Sequence, residues 1–267
     1  MPKIVYLLLI STLLSIQAQA SELKFLTFKF PPFSQNIDGQ AKGPFVELIS
    51  DVCKEMGDSC TFDTLPTRRA KDQIAKGQAT GIFPFGWFPK RAEKFYFSIP
   101  FMLTEYGIFV SSSHQDKISG MEDLQSMQVG VFGPSNTSNS LENLKKKMVD
   151  AGLKPIKIIM KRDEDGNLIR MLASNRIDAY YSNRALGEFR AKQFNVTGVK
   201  YAWEAKQLLY FVAFPKATTD EALVKKFNQA ALKVFAKKGY LESKLSKWDI
   251  SAPPMNDEVL KQYNIIH

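Results

Sequence analysis

Apolar residues recur along this chain with two periods, and the switches between them mark out its elements. Leu23 to Phe30 alternates with period two, a strand in which Phe25, Phe28 and Phe30 are candidates for burial, and Pro31-Pro32 stops it. The stretch 33–43 reads as a loop. Phe45, Leu48, Ile49 and Val52 then fall at helical spacing within Phe45–Met56. Cys60–Thr64 is a second strand, Arg68–Lys76 a helix closed by Gly77, and Ile82–Phe85 a short apolar strand of the buried parallel kind. The order β-α-β-α-β implies parallel strands with right-handed crossovers.

A similar unit follows. Gln128–Phe132 is a strand, the turn 133–138 feeds a helix around Leu141–Ala151, and Ile156–Met160, Leu168–Ser174 and Ile177–Tyr181 read as strand, helix and strand. MLASNRIDAYYSN, from Met171, repeats the layout of IAKGQATGIFPF, from Ile74: helix end, polar turn, buried strand. Two α/β lobes built alike are the economical reading, 21–109 with 210–267 forming one and 110–209 the other. Two extended segments, Tyr106–Ser111 and Leu208–Phe214, would join them as a hinge, and the helices at Asp220–Lys238 and Leu241–Trp248 would return to the first lobe.

Composition narrows the address. Lys3, the apolar run Ile4–Ile16 and Ala18-Gln19-Ala20 give residues 1–20 the layout of a cleaved export signal, which places the remainder in an oxidising periplasm. The apolar run is shorter than the roughly 20 residues that span a bilayer. With 45% hydrophobic residues the chain can bury a full core. The formal net charge is +9, but export argues against a nucleic-acid partner, and the lysines are scattered on amphipathic helices. Cys53 and Cys60 stand apart from His114 and His267, so a short structural disulfide is expected rather than a metal site. Nothing points to a cofactor or to an oligomer, and a monomer is the expectation.

The stretch Gly77–Phe101 carries the candidate chemistry. Ligands in open α/β folds sit outside the carboxyl ends of the strands, and Arg91 follows such an end closely. Its guanidinium fork can clamp a carboxylate through paired charge-assisted hydrogen bonds. The competing reading is a surface arginine paired with Glu93 or Glu105. Arg69, in TRRA at a helix start, is either a second anion contact or a solvated charge.

Five segments in order carry a resemblance: PPFSQNIDGQAKGPFVELISDVCKEMG, KRAEKFYFSIPF, ISGMEDLQSMQVGVFG, RMLASNRIDAYYSN and LVKKFNQAALKVFAKKGYLESKLSKW. The chain resembles the family 3 bacterial extracellular solute-binding proteins, the type II periplasmic binding proteins of the two-lobed "Venus flytrap" α/β fold. The resemblance implies a non-catalytic receptor that delivers a small solute, an amino acid or a related compound, to an ABC transporter permease at the inner membrane. It also implies that the Cys53–Cys60 spacing is the disulfide of basic amino-acid binders. Arg91 matches the arginine that holds the ligand carboxylate, and Phe33 the aromatic that stacks on it. Ser135, Asn136 and Thr137 fall at the second-lobe helix start, where hydroxyls and free N–H groups can meet the same carboxylate. Around them Gly86, Trp87 and Phe88 line the expected cleft. This chain departs from the family pattern twice. Gly86 and Phe88 stand where hydroxyl residues are usual, and Asn183 stands where an acid pairs with the ligand ammonium. Losing that pair forfeits about 2–5 kcal/mol of amino-acid affinity. Two alternatives share the scaffold: a cyclohexadienyl dehydratase-like enzyme, which needs a general acid or base in the cleft, and a ligand-sensing subunit for a membrane receptor.

Overall fold

The computed structural model describes residues 22–163 and 165–267, so the expected export signal at 1–20 lies outside the described residues. Strand β1 (Glu22–Thr27) runs parallel to β4 (Ser59–Thr64), residue 22 beside 59 through 27 beside 64. The ladder ends where its partner does, before Leu65 and Pro66, so residues 28–30 leave the strand earlier than alternation predicts. The expected loop at 33–43 holds a small hairpin, β2 (Gln35–Ile37) and β3 (Gln40–Lys42), closed by Asp38-Gly39 at φ 53° and 80°. Two residues with positive φ match the favoured hairpin turn, and Asp-Gly is its usual sequence.

Helix α1 (Pro44–Met56) buries Phe45, Leu48, Ile49 and Val52, the face read from the sequence. Helix α2 (Thr67–Ala75) turns Ala70 and Ile74 inward, and β5 (Gly81–Gly86) is buried along nearly all its length. A short helix α3 (Pro89–Ala92) and β6 (Phe95–Phe97) follow. Cys53 and Cys60 are joined, tying the end of α1 to the start of β4.

Strand β7 (Met102–Ser111) and the 17-residue β11 (Val199–Pro215) cross the molecule as an antiparallel pair. Between them in sequence come β8 (Gln128–Phe132), α4 (Asn136–Asp150), β9 (Lys157–Lys161), α5 (Asn167–Ala173), β10 (Ala179–Asn183) and α6 (Arg184–Gln193). The strand expected at 177–181 is displaced by two residues. Asp178 instead closes the strand entrance: its N–H donates to Gln128 O at 2.9 Å, and its Oδ2 accepts from Gln128 N–H at 2.7 Å. The nine-stranded mixed sheet has the order β4-β1-β5-β11-β7-β10-β8-β9, with β6 paired to β11.

The apolar interior divides along this sheet. One core gathers Phe25, Phe45, Phe83, Phe101, Phe214 and Phe227 under α1, α2 and the closing helices α7 (Glu221–Phe235), α8 (Tyr240–Leu245) and α9 (Asp257–Gln262). Two smaller clusters cover opposite faces of the β7-β10-β8-β9 half. Ile108, Val129, Val131 and Tyr181 lie on one face; Phe109, Leu168, Leu172 and Tyr180 lie on the other. Neighbouring residues in one strand thus enter different clusters, as the strand period of two requires. The carboxyl ends of β5 and β10 and the crossing of β7 with β11 meet between these cores.

Candidate functional site

At the end of β5 the chain turns through Trp87-Phe88-Pro89 into α3, which is too short to carry a site of its own but fixes Arg91. The guanidinium Nη1 donates to the Gly86 carbonyl at 2.7 Å. Its carbon lies 4.0 Å from the Phe85 ring centroid and 4.9 Å from that of Phe88, so two ring faces cradle one cation. Arg91 is half-buried, and among the described residues no carboxylate comes within ion-pair distance of it. The surface pairing considered above is therefore absent: Glu105 pairs with Arg184 at 3.5 Å and Glu93 is exposed. Burial lowers the Arg91 pKa from its ordinary value, while Tyr106 and Tyr210 act in the opposite direction. An arginine remains charged through such a shift.

Lys71 lies on α2. The residue as a whole is exposed, yet partial desolvation of its ammonium, followed by the Arg91 charge, lowers its pKa. It too has no carboxylate partner among the described residues. Arg69, two residues earlier, is exposed and enters no ion pair.

A cluster of neutral polar side chains gathers at the end of β10. Asn183 ends β10 with its side chain 1% exposed; its Nδ2 donates to Thr104 Oγ1 at 2.8 Å, and its Oδ1 accepts the Leu186 N–H at 3.1 Å, capping α6. The buried Tyr210 hydroxyl interacts with Tyr106 and Asn183; burial raises its pKa first, then Tyr106, while Asn183 and the Arg91 charge oppose. Tyr210, on β11, was hidden in a segment that reads simply as hinge. Its ring stands edge-on to Phe30 and Phe33, at 5.8 and 5.1 Å.

The remaining expected residues divide. Gly86 and Phe88 surround Arg91, and Phe88 is 38% exposed. Phe33 is corrected: it is fully buried beneath Phe30, with no ring face for a solute, and the half-buried Phe30 is the aromatic at the surface. Trp87 turns away from Arg91 onto Tyr263, with centroids 5.4 Å apart. The Ser135 hydroxyl is spent as the cap of α4: it accepts from Ser138 N–H at 3.1 Å and donates to Phe132 O at 2.7 Å. Asn136 is exposed and Thr137 half-buried, and as the first residues of α4 their N–H groups have no acceptor within the helix. Asp178 is committed to Gln128, and Asp163 accepts the N–H groups of Asn167 and Leu168, so both acids serve the fold. Among the described residues no three His, Cys, Asp or Glu side chains group as a metal site.

A profile of the bacterial extracellular solute-binding proteins, family 3, matches residues 26–151, the stretch that contains α1, Arg91 and the turn into α4. Over that stretch the chain carries the family's pattern. Solved structures of such receptors share its architecture. The probable amino-acid ABC transporter extracellular-binding protein YtmK of Bacillus subtilis superposes with TM-score 0.75 at 22% identity, covering 86% of this chain and 98% of its own. A histidine kinase sensor domain similar to periplasmic binding proteins gives TM-score 0.70 at 18% identity, covering 88% and 99%. An ancestral amino acid-binding protein, a precursor of cyclohexadienyl dehydratase, gives 0.66 at 22%, covering 85% and 95%. At these identities the likeness establishes the two-lobed type II fold alone. No curated protein sequence matches the chain. Among the described residues no helix is long and apolar enough to cross a membrane.

Arg91 and its neighbours lie where β5 ends beside β11. That place offers a half-buried guanidinium with no carboxylate partner among the described residues, one exposed ring, Phe88, against it, and the hydroxyls of Tyr106 and Tyr210 nearby. Such a set can bind and orient an anion.

Proposed function

We propose that the chain is a periplasmic receptor. It captures a small carboxylate-bearing solute between two lobes, 21–109 with 210–267 and 110–209, and delivers it to an ABC importer permease. The observation that carries this reading is Arg91: a half-buried cation held by Gly86 O and two ring faces, with no carboxylate of its own. Removing a charge from water without a partner is costly, so a site that keeps one unpaired is poised for a charged guest. In this reading the first N–H groups of α4, which have no acceptor within the helix, would supply further donors to the solute. A solute touching both sides stabilises the closed arrangement over the open one, and that difference is what a permease can read. Arg91→Ala is expected to weaken binding of a carboxylate solute at least tenfold, about 1.4 kcal/mol. Titration calorimetry showing unchanged affinity removes Arg91 from the site.

A further inference from the structure

We infer that Lys192 and Asp249 set the affinity for the solute from outside the cleft, as a tie between the lobes that breaks when they close. The inference rests on the solute-binding reading above and adds a means by which that site is tuned. The Lys192 ammonium donates to Asp249 Oδ2 at 3.0 Å, across 57 residues of chain. The two ends are anchored in different lobes. Arg190, two residues before Lys192, donates to the Asp163 carbonyl at 2.9 Å and to the Tyr180 hydroxyl at 3.1 Å, which fixes the end of α6 in the second lobe. Asp249 donates its N–H to Ser246 O at 3.1 Å, Ile250 is buried in the first core, and Ser251 O accepts the Leu103 N–H at 3.0 Å. Ala185, near the start of α6, is also buried in the first core, and Lys192 follows it at i+7 on the same side of the helix. Among the described residues this is the one ion pair that joins the lobes away from the crossing strands. Arg184–Glu105 lies on β7, and the others fall within a lobe.

The direction of the effect follows from the face of the hinge that each feature occupies. Residues paired directly across neighbouring strands point to one face, and alternate residues along a strand share it. Tyr210 stands opposite Met102 and Asn183 opposite Tyr106, so Tyr210, Thr104, Tyr106 and Asn183 share one face of β11, β7 and β10. Helix α4 packs on that face, with Leu141 and Leu144 in the cluster of Ile108 and Tyr181. Arg91 is on it too: a Cβ at Gly86, the partner of Tyr210, would lie 3.8 Å from the Arg91 Nη1 and 4.0 Å from the Tyr210 ring. Helix α6 lies on the other face, where Gly187 leaves no room for a Cβ against the Phe109 ring and Arg184 reaches Glu105. Phe88 and Asn136, on the two sides of the cleft, are both exposed, so those sides stand apart. The candidate site and the ion pair thus flank the strands about which the lobes turn. Swinging the lobes together over the site draws Lys192 and Asp249 apart, like the two ends of a lever. The pair stabilises the open arrangement alone, and a solute that needs the closed one works against it.

The test is calorimetric titration of the full mature protein with L-glutamate, L-glutamine, L-arginine and glutarate, on wild type, Lys192→Gln, Asp249→Asn, the double variant and Arg91→Ala. Lys192 is exposed on its helix, and asparagine keeps the left-handed conformation of residue 249, at φ 56°. Each single variant should melt near wild type and bind more tightly, by roughly two- to fivefold, whichever of these solutes the wild type holds. A pair that served stability alone would lower the melting temperature and leave affinity unmoved. The double variant should bind no tighter than the single ones, because one pair can be broken only once. The inference is overturned if affinity falls or stays at the wild-type value in either single variant, or if the two gains add in the double one. In those cases a loss of binding in Arg91→Ala keeps the solute-binding reading standing. Binding of none of the four solutes, or binding indifferent to Arg91→Ala, overturns both.

Discussion

Phe30 and Phe33 stand three residues apart around Pro31-Pro32, and truncating each should have opposite consequences. Phe33 is fully buried, 4.9 Å from the Phe30 ring and edge-on to Tyr210 at 5.1 Å. Its carbonyl also accepts the Phe45 N–H at 3.3 Å, which seats the segment against the start of α1. Phe→Ala in a core costs about 3–5 kcal/mol through lost transfer energy and the cavity left behind. Two ring contacts of about 0.5–1.5 kcal/mol each favour the upper part of that range, so Phe33→Ala should cost about 4 kcal/mol. For a chain of this size that is a fall in melting temperature of about 8–16 °C. Phe30 is half-buried and loses less, about 1–2 kcal/mol, but of the two it is the ring at the surface, and its loss should fall on solute affinity. Urea denaturation followed by circular dichroism gives the stabilities, and calorimetric titration with a carboxylate solute that binds the wild type gives the affinities. Phe33→Leu, which refills most of the cavity, should recover both stability and binding. If Phe33→Ala costs less than about 1.5 kcal/mol and abolishes binding while Phe30→Ala leaves affinity untouched, the assignment of surface and core rings is wrong.

Two further outcomes follow from close packing and from burial. A Cβ at Gly107 would lie 2.1 Å from the Trp203 carbonyl oxygen, a backbone atom that cannot swing aside; Gly107→Ala should therefore destabilise by about 1–3 kcal/mol, and a melting temperature equal to wild type would refute the close approach of β7 to β11. Burial pushes the Tyr181 hydroxyl up to about 12, the Ser140 hydrogen bond pulling against it and Tyr106 adding to the rise. The unfolded tyrosine ionises near 10, so its contribution is complete below that pH and is lost between about 10 and 12, at up to about 1.4 kcal/mol per pH unit. Denaturation at stepped alkaline pH should show a shallower decline for Tyr181→Phe than for wild type; identical slopes would refute the shift.

How much of this was legible in the sequence depended on whether the signal was local. The apolar face of α1 and the run Ile82–Phe85 were readable because burial there follows from periodicity over one turn or one strand. The Asp38-Gly39 hairpin was equally local, and its turn signature was on the page. β11 was half-read: Leu208–Phe214 is apolar, but Val199–Gln207 alternates polar residues and becomes strand only by pairing along β7, with bulges at Tyr201/Trp203 and Glu204/Lys206. Helix α6 escaped notice because its face is weakly apolar; the cap at Asn183 was its one clear signal. In the candidate site the placing of Arg91 after a strand end was readable from spacing. The exchange of Phe30 for Phe33 was not. After Pro31-Pro32 the chain doubles back, Phe30 and Ser34 exchange backbone hydrogen bonds at 2.8 and 3.1 Å, and this turn, not strand alternation, sets which ring faces out.

Asn183 shows how structural demand and chemical choice separate at a single position. The fold asks this residue to accept the Leu186 N–H and to meet Thr104 beneath the tyrosines. An aspartate could do both, because it caps a helix as well as asparagine does and the Thr104 hydroxyl can donate where it now accepts. Packing therefore does not require the amide. What the amide changes is the field: it leaves the end of β10 without the negative charge that an aspartate would bring there. The same cluster joins β7, β10 and β11 through Thr104, Tyr106, Asn183 and Tyr210, the strands that run between the two halves of the sheet.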